Sequence, residues 1–345
     1  MARSGRRRGT AITIQSVAEQ AGVSAMTVSN VINGTGKVGA ATRERVRAAI
    51  AQLGYVPNVA ARGLASAGIV RVGLIYDEPQ SPFVSAMLIG ALNMTSARGV
   101  QLMIRRLSDY SVTGTAATAK ALVRSGANAL LLMPPFAELL SGRPIVGELN
   151  VPLAAVATGG ALPDVSTVRI DDCAAAFAIT ELLIRHGHQR IGLIAGPDNH
   201  SGSALRRAGY LAALRAHGLA TDPVLQTPGN YLFDGGIKGA RALLDLPEPP
   251  TAIFASNDDM AGGVVSLAQS RGLRIPEALE VVGFDDTPIS RQLFPALTTI
   301  RQPITEMAEQ ATSGLIDAVN TPDAAPHDTV LEYALVERAS TGCCV

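Results

Sequence analysis

Polar side chains that could bind a small ligand or transfer protons follow several apolar runs of the chain. Asn257 and Asp258 follow one such run, Asp285 and Asp286 follow another, and Glu78 comes shortly after a third. Carboxylate and amide groups suit the hydroxyl groups of a polar ligand. Acid–base catalysis by a carboxylate pair is less well supported, because side chains adjacent in sequence usually point apart.

Two further motifs suggest chemistry that their surroundings do not support. The pattern Gly-x-Gly-x-x-Gly at 34–39 follows a helical pattern, whereas a dinucleotide site requires it after a strand. His186-Gly187-His188 has no cysteine or carboxylate cluster at metal-ligand spacing beside it, so we interpret it as a turn. The sequence has no Gly-x-Ser-x-Gly elbow and no P-loop. We therefore predict no cofactor, no metal site and no enzymatic activity.

Length and composition indicate a globular protein of more than one domain. The chain has 345 residues, of which 47% are hydrophobic and 17% charged, and no apolar stretch approaches the ~18 residues of a membrane span. The basic start lacks the apolar segment of a secretory signal. The three cysteines, Cys173, Cys343 and Cys344, are too few for a disulfide framework. We expect a cytoplasmic protein with reduced thiols and no membrane partner.

A net charge of zero conceals an uneven distribution of charge. Residues 1–67 contain nine basic and two acidic residues, and the rest of the chain carries the compensating negative charge. A small basic segment on a larger acidic body indicates a module that binds a polyanion. The alternative is a solvated basic tail, because four of the nine basic residues lie within 3–8.

The basic segment has the pattern of a helix-turn-helix. Thr13 can cap a helix to about residue 20, Gly22 can end it, and Ser24 can cap a second helix that runs to about residue 33. A third helix is expected over about 41–53. Apolar positions of the second helix share one stripe, and the opposite stripe is small and polar, as in a helix that enters the DNA major groove. The exposed stripe comprises Ala25, Met26, Ser29, Asn30 and Asn33.

The runs at 13–34, 42–46 and 53–58 resemble the DNA-binding head of the lactose-repressor (LacI/GalR) family. The resemblance implies that bases are read by Ala25, Met26, Ser29 and Asn30. It implies phosphate contacts from Thr27, Asn33, Lys37 and Arg43. Ala25 and Met26 can contact a thymine methyl but cannot donate to guanine, while Asn30 can pair with adenine. The alternative for Asn30 is a phosphate contact.

Residues 57–65 are similar to the hinge of the same family. Asn58 would cap a short helix, Arg62 would approach the phosphates, and Leu64 would wedge into the minor groove at the operator centre. Gly63 replaces a larger residue and costs about 1 kcal/mol of helix propensity relative to alanine. We expect this helix to form on DNA, paired with that of a second copy.

From residue 69 onward, strand-like runs alternate with amphipathic helices, and the cycle restarts near 167. This predicts parallel sheets in two lobes and is similar to the periplasmic-binding-protein-like body of the family. The fold class is therefore an all-α helix-turn-helix head with a hinge helix, followed by a two-lobed α/β body. The expected divisions are a basic tail (1–11), the head (12–56), the hinge and linker (57–68), a first lobe (69–170 with about 301–329) and a second lobe (171–300 with about 330–345).

Ligands of open α/β sheets bind beyond the carboxyl ends of the strands. This rule, together with the resemblance, predicts an effector site. Its expected residues are Glu78, Phe83, Tyr231, Asn257, Asp285 and Gln302. For Asn257 and Asp285 the alternative is loop capping without ligand contact. The resemblance also implies a ligand-binding arginine, which we align with Ala204, while Arg206 is interpreted as structural.

The sequence therefore predicts a homodimeric repressor that binds a palindromic operator in double-stranded DNA. A small sugar-like metabolite would control it allosterically. Alternatives are a non-sugar effector, a corepressor requirement, or a binding protein without DNA function. The sequence leaves the effector, the operator and the regulated genes open. The absence of a heptad tail argues against a zipper-made tetramer.

Overall fold

The computed structural model describes residues 13–33, 38–53, 70–77, 81–321 and 324–342. Its contacts divide the chain into two compact units, Met1–Ile69 and Val70–Val345, here called the head and the body. The basic tail and five predicted site residues lie outside the described residues. These five are Lys37, Asn58, Arg62, Leu64 and Glu78.

The head contains three helices whose ends follow the capping signals of the sequence. They are α1 (Ile14–Ala21), α2 (Ala25–Asn33) and α3 (Ala40–Leu53). The Thr13 hydroxyl accepts a hydrogen bond from the Ser16 amide, and the Ser16 hydroxyl accepts one from the Thr13 amide. Gly22 ends α1 in the left-handed region at φ 65°, a conformation in which glycine has no steric cost. The Ser24 hydroxyl accepts from the Thr27 amide and so caps α2.

A small apolar cluster holds the three helices together. One valine of each helix is fully buried in it, namely Val17, Val28 and Val46. Ala18, Ala21 and Ala49 are also buried in the cluster. Such a core is small, so the head depends on each of its buried side chains.

The body contains two sheets, each covered by helices. Its first half comprises β1 (Arg71–Tyr76), α4 (Pro82–Ala97), β2 (Gln101–Arg106), α5 (Val112–Arg124), β3 (Ala129–Leu132), α6 (Phe136–Leu140), α7 (Pro144–Leu149), β4 (Leu153–Val156) and β5 (Ser166–Arg169). Its second half comprises α8 (Asp172–Arg185), β6 (Ile191–Ile194), α9 (Ser201–Ala216), β7 (Gln226–Thr227), α10 (Phe233–Leu244), β8 (Ala252–Ala255), α11 (Asp258–Ser270), β9 (Glu280–Asp285), α12 (Ile289–Gln292) and β10 (Thr298–Arg301). The chain ends with α13 (Ile304–Asn320), β11 (Asp328–Val330) and β12 (Ala334–Val336).

The first lobe is built on the sheet β11-β5-β4-β3-β1-β2, and the second lobe on the sheet β12-β10-β9-β8-β6-β7. All strand pairs are parallel except β10 with β12. Central strands such as β3 and β8 are buried at every residue, which explains their uninterrupted apolar runs.

The chain passes between the lobes three times. It crosses from β5 to α8, returns from β10 to α13, which packs on the first sheet, and crosses again between β11 and β12. Residues 331–333 form the last crossing, so the pairing changes from the first sheet to the second within a few residues.

None of the described helices is both long and apolar enough to cross a bilayer.

Candidate functional site

A cavity of about 300 Å³ lies between the two lobes, where the carboxyl ends of strands from both sheets meet. This volume suits a small metabolite. We call this cavity the cleft. It is lined by Asp77, Ser81, Phe83, Val84, Tyr110, Met133, Pro134, Ala157, Pro197, Asn199, His200, Gly202, Arg206, Asn230, Tyr231, Leu232, Asn257 and Asp285.

Four of the expected effector-site residues line the cleft: Phe83, Tyr231, Asn257 and Asp285. Gln302 is buried behind them, and its amide Nε2 donates to Asp285 Oδ1 over 2.6 Å. In the structure, Gln302 therefore orients a carboxylate of the cleft. Asp258 and Asp286 are not among the lining residues. They bind Thr287 and Thr299, and Arg301 and Arg338, respectively.

Asn257 uses both ends of its amide within the protein. Its Oδ1 accepts from the Met260 amide and caps α11, while its Nδ2 donates to the Tyr231 carbonyl over 2.9 Å. Tyr231 has a positive φ of 63°, a conformation that is uncommon for non-glycine residues. Asn257 therefore helps to hold Tyr231 in the geometry that presents its ring to the cleft.

Arg206 lies at the centre of a buried charged network. Its Nε donates to Asp172 Oδ1 over 2.7 Å and its Nη1 to the Ser256 carbonyl over 2.6 Å. Its guanidinium stacks on Phe284 with 3.7 Å to the ring centroid. Nη1 also lies 3.7 Å from Asp285 Oδ1. The positive charge is thus shared between two buried carboxylates.

Burial gives two cleft residues unusual protonation behaviour. Burial of the carboxyl raises the pKa of Asp285 to about 7, although Arg206 acts in the opposite direction. Burial, reinforced by the charge of Arg206, lowers the pKa of His200 to about 4. His200 is therefore a neutral imidazole near neutral pH, and its ring meets the Tyr231 ring edge-on at 5.4 Å. A neutral imidazole has one donor and one acceptor nitrogen.

Sequence reasoning missed several lining residues, among them Asp77, Tyr110, Asn199 and Asn230. A signal for them was present, because Asp77 directly follows β1 and the other three lie in loops that follow β2, β6 and β7. The rule that favours the carboxyl ends of strands therefore covers all four of these loops.

A larger groove of about 860 Å³ lies on the first lobe, between α13, α7 and the amino ends of β4 and β5. Its carboxylates are engaged within the protein. Asp164 accepts from Ser141 and Gly142, and Asp317 pairs with Arg98. We therefore regard the cleft as the candidate ligand site.

The two histidines of the His-Gly-His motif contact a carboxylate. Glu280 Oε2 lies 2.8 Å from His186 Nδ1 and 3.3 Å from His188 Nε2. Over the described parts of the chain, no group of His, Cys, Asp and Glu has the arrangement of a metal site. The motif, with Gly187 at φ 92°, forms the turn between α8 and β6.

In the head, α2 presents the predicted base-reading residues to different degrees. Met26 is 70% exposed, whereas Ala25, Ser29 and Asn30 are half-buried. Among the predicted phosphate contacts, the Thr27 hydroxyl bonds to Ser24, and Arg43 donates to the Val38 carbonyl over 3.4 Å. Asn33 is the last residue of α2. Met26 is therefore the most accessible of the four base-reading candidates.

Comparison with known proteins gives matches over both units. The family described as bacterial regulatory proteins, lacI family, matches residues 13–58, and the periplasmic binding protein-like domain matches residues 180–341. The HTH-type transcriptional repressor CytR of Escherichia coli K12 is 32% identical over 337 residues, which cover 97% of this chain and 98% of CytR. The chain belongs to the LacI family of bacterial regulatory proteins.

Other LacI-family regulators match over similar lengths. The transcriptional regulator CelR of Thermobifida fusca is 32% identical, with 95% of this chain and 98% of CelR covered. A CelR–cellobiose complex superposes with a TM-score of 0.71 at 32% identity, over 95% of this chain and 99% of that one. The Lac repressor bound to ONPG superposes with a TM-score of 0.78 at 27% identity, over 96% and 99%. The expected family and fold class are confirmed, and the protein is a DNA-binding transcriptional regulator.

The structure places Ala204 and Arg206 on different faces of α9. Ala204 is exposed and does not line the cleft, whereas Arg206 is buried and does. Gly202, Arg206 and Gly209 share the buried face of the helix. Arg206 donates to Asp172 and to the Ser256 carbonyl, and the alignment of the ligand-binding arginine with Ala204 stays a prediction.

The raised pKa of Asp285 predicts a pH-dependent contribution to stability. Its ordinary value is 3.8, so between about pH 4 and 7 the folded chain retains a proton that the unfolded chain has released. The stabilisation is complete below about pH 4 and is lost as the pH rises through 7. In Asp285→Asn this loss should be absent. The free energy of unfolding of the variant, relative to the wild type, should therefore rise by on the order of 1–3 kcal/mol from about pH 5 to pH 8.

Urea unfolding of both proteins across this pH range measures the effect. The comparison cancels much of the contribution of Asp172 and Asp258, whose pKa values burial also raises. A difference between the two proteins that does not change with pH would contradict the assignment to Asp285.

Proposed function

We propose that the protein is a homodimeric repressor that binds a palindromic operator and is controlled by a small, uncharged, sugar-like metabolite bound in the cleft. The observation that carries the effector assignment is the composition of the cleft wall. It combines aromatic rings, amides and acidic groups around an arginine whose charge is already compensated by Asp172 and Asp285.

The charge of the cleft favours an uncharged ligand over a phosphorylated one. Among the lining residues, Arg206 is the one with a permanent positive charge, and His200 is neutral near pH 7. Arg206 already donates to Asp172 and to a backbone carbonyl. Asp77 and Asp285 add acceptors for hydroxyl groups. A phosphate would meet these acids without a free cation, which is unfavourable.

Exposed apolar side chains on both lobes support a homodimer. Ile89 and Leu92 share one face of α4, and Ile104 lies on the edge strand β2, all more than half exposed. In the second lobe, Leu232 and Phe233 are exposed to 44% and 39%, and Phe294 to 89%. Large apolar side chains are exposed at interaction surfaces, and a second copy of this chain is the partner that we propose. The operator complex of the lac repressor dimer, with a TM-score of 0.77 at 27% identity, supports the same assembly.

The DNA function predicts selection of a twofold-symmetric site. The purified chain, at moderate salt and without ligand, should enrich a palindrome from a random DNA pool because each protomer reads one half-site. Asn30→Ala should change the base preference at one symmetric pair of positions, and Met26→Ala at another, by on the order of tenfold or less per position.

Enrichment of an asymmetric site would contradict the dimer. An unchanged base preference in Asn30→Ala would contradict base reading by Asn30 and support a phosphate contact instead. Without enrichment, the selection is repeated with uncharged sugars and with their phosphate esters. Recovery by a sugar supports a corepressor. Recovery by an ester contradicts the uncharged effector, and failure with both contradicts the palindromic operator. A repressor with an inducer and a repressor with a corepressor would both bind a palindromic operator, and we propose a cytoplasmic location for either.

A further inference from the structure

A direct contact joins the two lobes beside the cleft, away from the crossing segments. Ser201, the first residue of α9 in the second lobe, donates from its hydroxyl to Glu138 Oε1 over 2.5 Å. The same hydroxyl accepts from the Gly159 amide over 2.8 Å. Glu138 belongs to α6, and Gly159 follows β4, so both partners lie in the first lobe.

The contact requires close approach of the two backbones. A Cβ atom placed on Gly159 would lie 2.7 Å from the Cβ and Oγ of Ser201 and 2.9 Å from its carbonyl carbon. Contacts this short force a shift of the neighbouring atoms. The next residue differs, because a Cβ on Gly160 would have no atom within 4 Å. Gly159 is thus a position where the absence of a side chain permits the lobes to meet.

The free energy of the contact between Ser201 and Glu138 has a favourable and an unfavourable contribution. The hydrogen bond between a hydroxyl and a carboxylate is stronger than one between neutral groups. The second carboxylate oxygen, Glu138 Oε2, is buried and has no hydrogen-bond partner. A buried acceptor without a partner is unfavourable, and water would reach it if the lobes separated. A contact with this balance can open and close, as a two-state regulatory element requires.

The position of the contact connects it to the cleft. The residues on either side of Ser201, His200 and Gly202, both line the cavity, as do Pro134 and Ala157 of the first lobe. Any change in the separation of Ser201 from Glu138 therefore alters the width of the cleft at this side.

We propose that Ser201, Glu138 and Gly159 form a latch that holds the lobes together, and that the closed fraction of the latch sets the effector affinity. The latch is a property of the body alone. Its link to effector affinity rests on the proposed function. If the closed form is the one that binds, apparent affinity falls in proportion to the fraction of closed molecules.

Gly159→Ala, with Gly160→Ala as its matched control, tests the latch in the full-length chain. Spin labels are attached at Arg124 and Arg241, which are exposed and lie in the first and second lobe. The three native cysteines are replaced by serine, and labelled protein is diluted with unlabelled protein. In Gly159→Ala the distances between labels should shift to longer values, while Gly160→Ala should match the parent.

Ser201→Ala is the second variant, because it removes both hydrogen bonds without adding bulk. It should broaden the distance distribution toward longer values. An unchanged distribution in both Gly159→Ala and Ser201→Ala would overturn the latch. Equal shifts in Gly159→Ala and Gly160→Ala would also overturn it.

The affinity of an effector found by the DNA selection is then compared in the same variants. We expect a loss of about 3–10-fold in Ser201→Ala, as the closed fraction falls. Longer distances with unchanged affinity would overturn the link to effector binding and leave the latch standing. Failure to find any effector would contradict the proposed function, while the distances between the labels would still test whether the latch exists.

Discussion

Replacing Arg206 with methionine is expected to lower the free energy of unfolding of the body by about 3–5 kcal/mol. The side chains of Arg206 and Asp172 are 8% and 2% exposed. Methionine has a similar apolar volume but leaves the carboxylates of Asp172 and Asp285 buried without their cation. The Ser256 carbonyl also loses a donor. Urea unfolding of the body, followed by far-UV circular dichroism, measures the change.

Arg207→Met is the matched control for this variant. Arg207 is the next residue of α9 but is exposed, and its guanidinium donates to Gln226 on the surface. Its replacement should change stability by less than about 0.5 kcal/mol. Asp172→Asn in the Arg206→Met background should recover part of the loss, because it removes one unpaired charge. Equal stability of the two methionine variants would show that the buried network contributes little.

Val28→Asp is expected to abolish DNA binding while leaving the body folded. Val28 is fully buried among the three helices of the head. Placing a carboxylate in so small a core costs several kcal/mol, which is more than a head of this size can offset. An unfolded head that is favoured over the folded one by about 3 kcal/mol lowers the folded fraction, and with it the apparent DNA affinity, by about 100-fold. Fluorescence anisotropy with the selected DNA measures the affinity.

Met26→Ala is the control, since Met26 lies on the exposed side of the same helix. It should keep the head folded and change base preference rather than abolish binding. The unfolding transition of the body should be the same in Val28→Asp and the wild type, because the head and body are separate compact units. Retained DNA affinity in Val28→Asp would contradict the assignment of DNA binding to the head.

Local sequence signals were sufficient to predict the helices of the head and much of the secondary structure of the body. The capping residues Thr13 and Ser24 and the glycine at 22 begin and end the helices of the head as expected. Buried parallel strands are continuous apolar runs, which is why the alternation of strand-like runs with helices was visible in the sequence of the body. The short strands β7 and β11 were not predicted. β7 has two residues, and β11 has three mostly exposed residues, so neither strand carries a periodic signal.

The candidate site was partly predictable. Asn257 follows β8 and Asp285 ends β9, where the rule on strand ends placed them, while their neighbours Asp258 and Asp286 bind inward to β10 and Arg338. The place of Arg206 in the cleft wall was not predicted. The buried stripe of α9 at 202, 206, 209, 210 and 213 contains Arg206, so helical phase alone would have placed this side chain on the inward face. His200 and Asn230 are placed by loop conformations that no sequence period encodes.

The outer strand of each sheet comes from the final segment of the chain. β11 pairs with β5, and β12 pairs with β10, and α13, which covers the first sheet, also follows the second lobe in sequence. During synthesis, a nascent chain that has reached residue 325 therefore has two unpaired sheet edges, both open to pairing with other chains. A premature stop there would release a polypeptide in which each sheet lacks its outer strand, β11 or β12. Residues 328–336 therefore complete both halves of the body together.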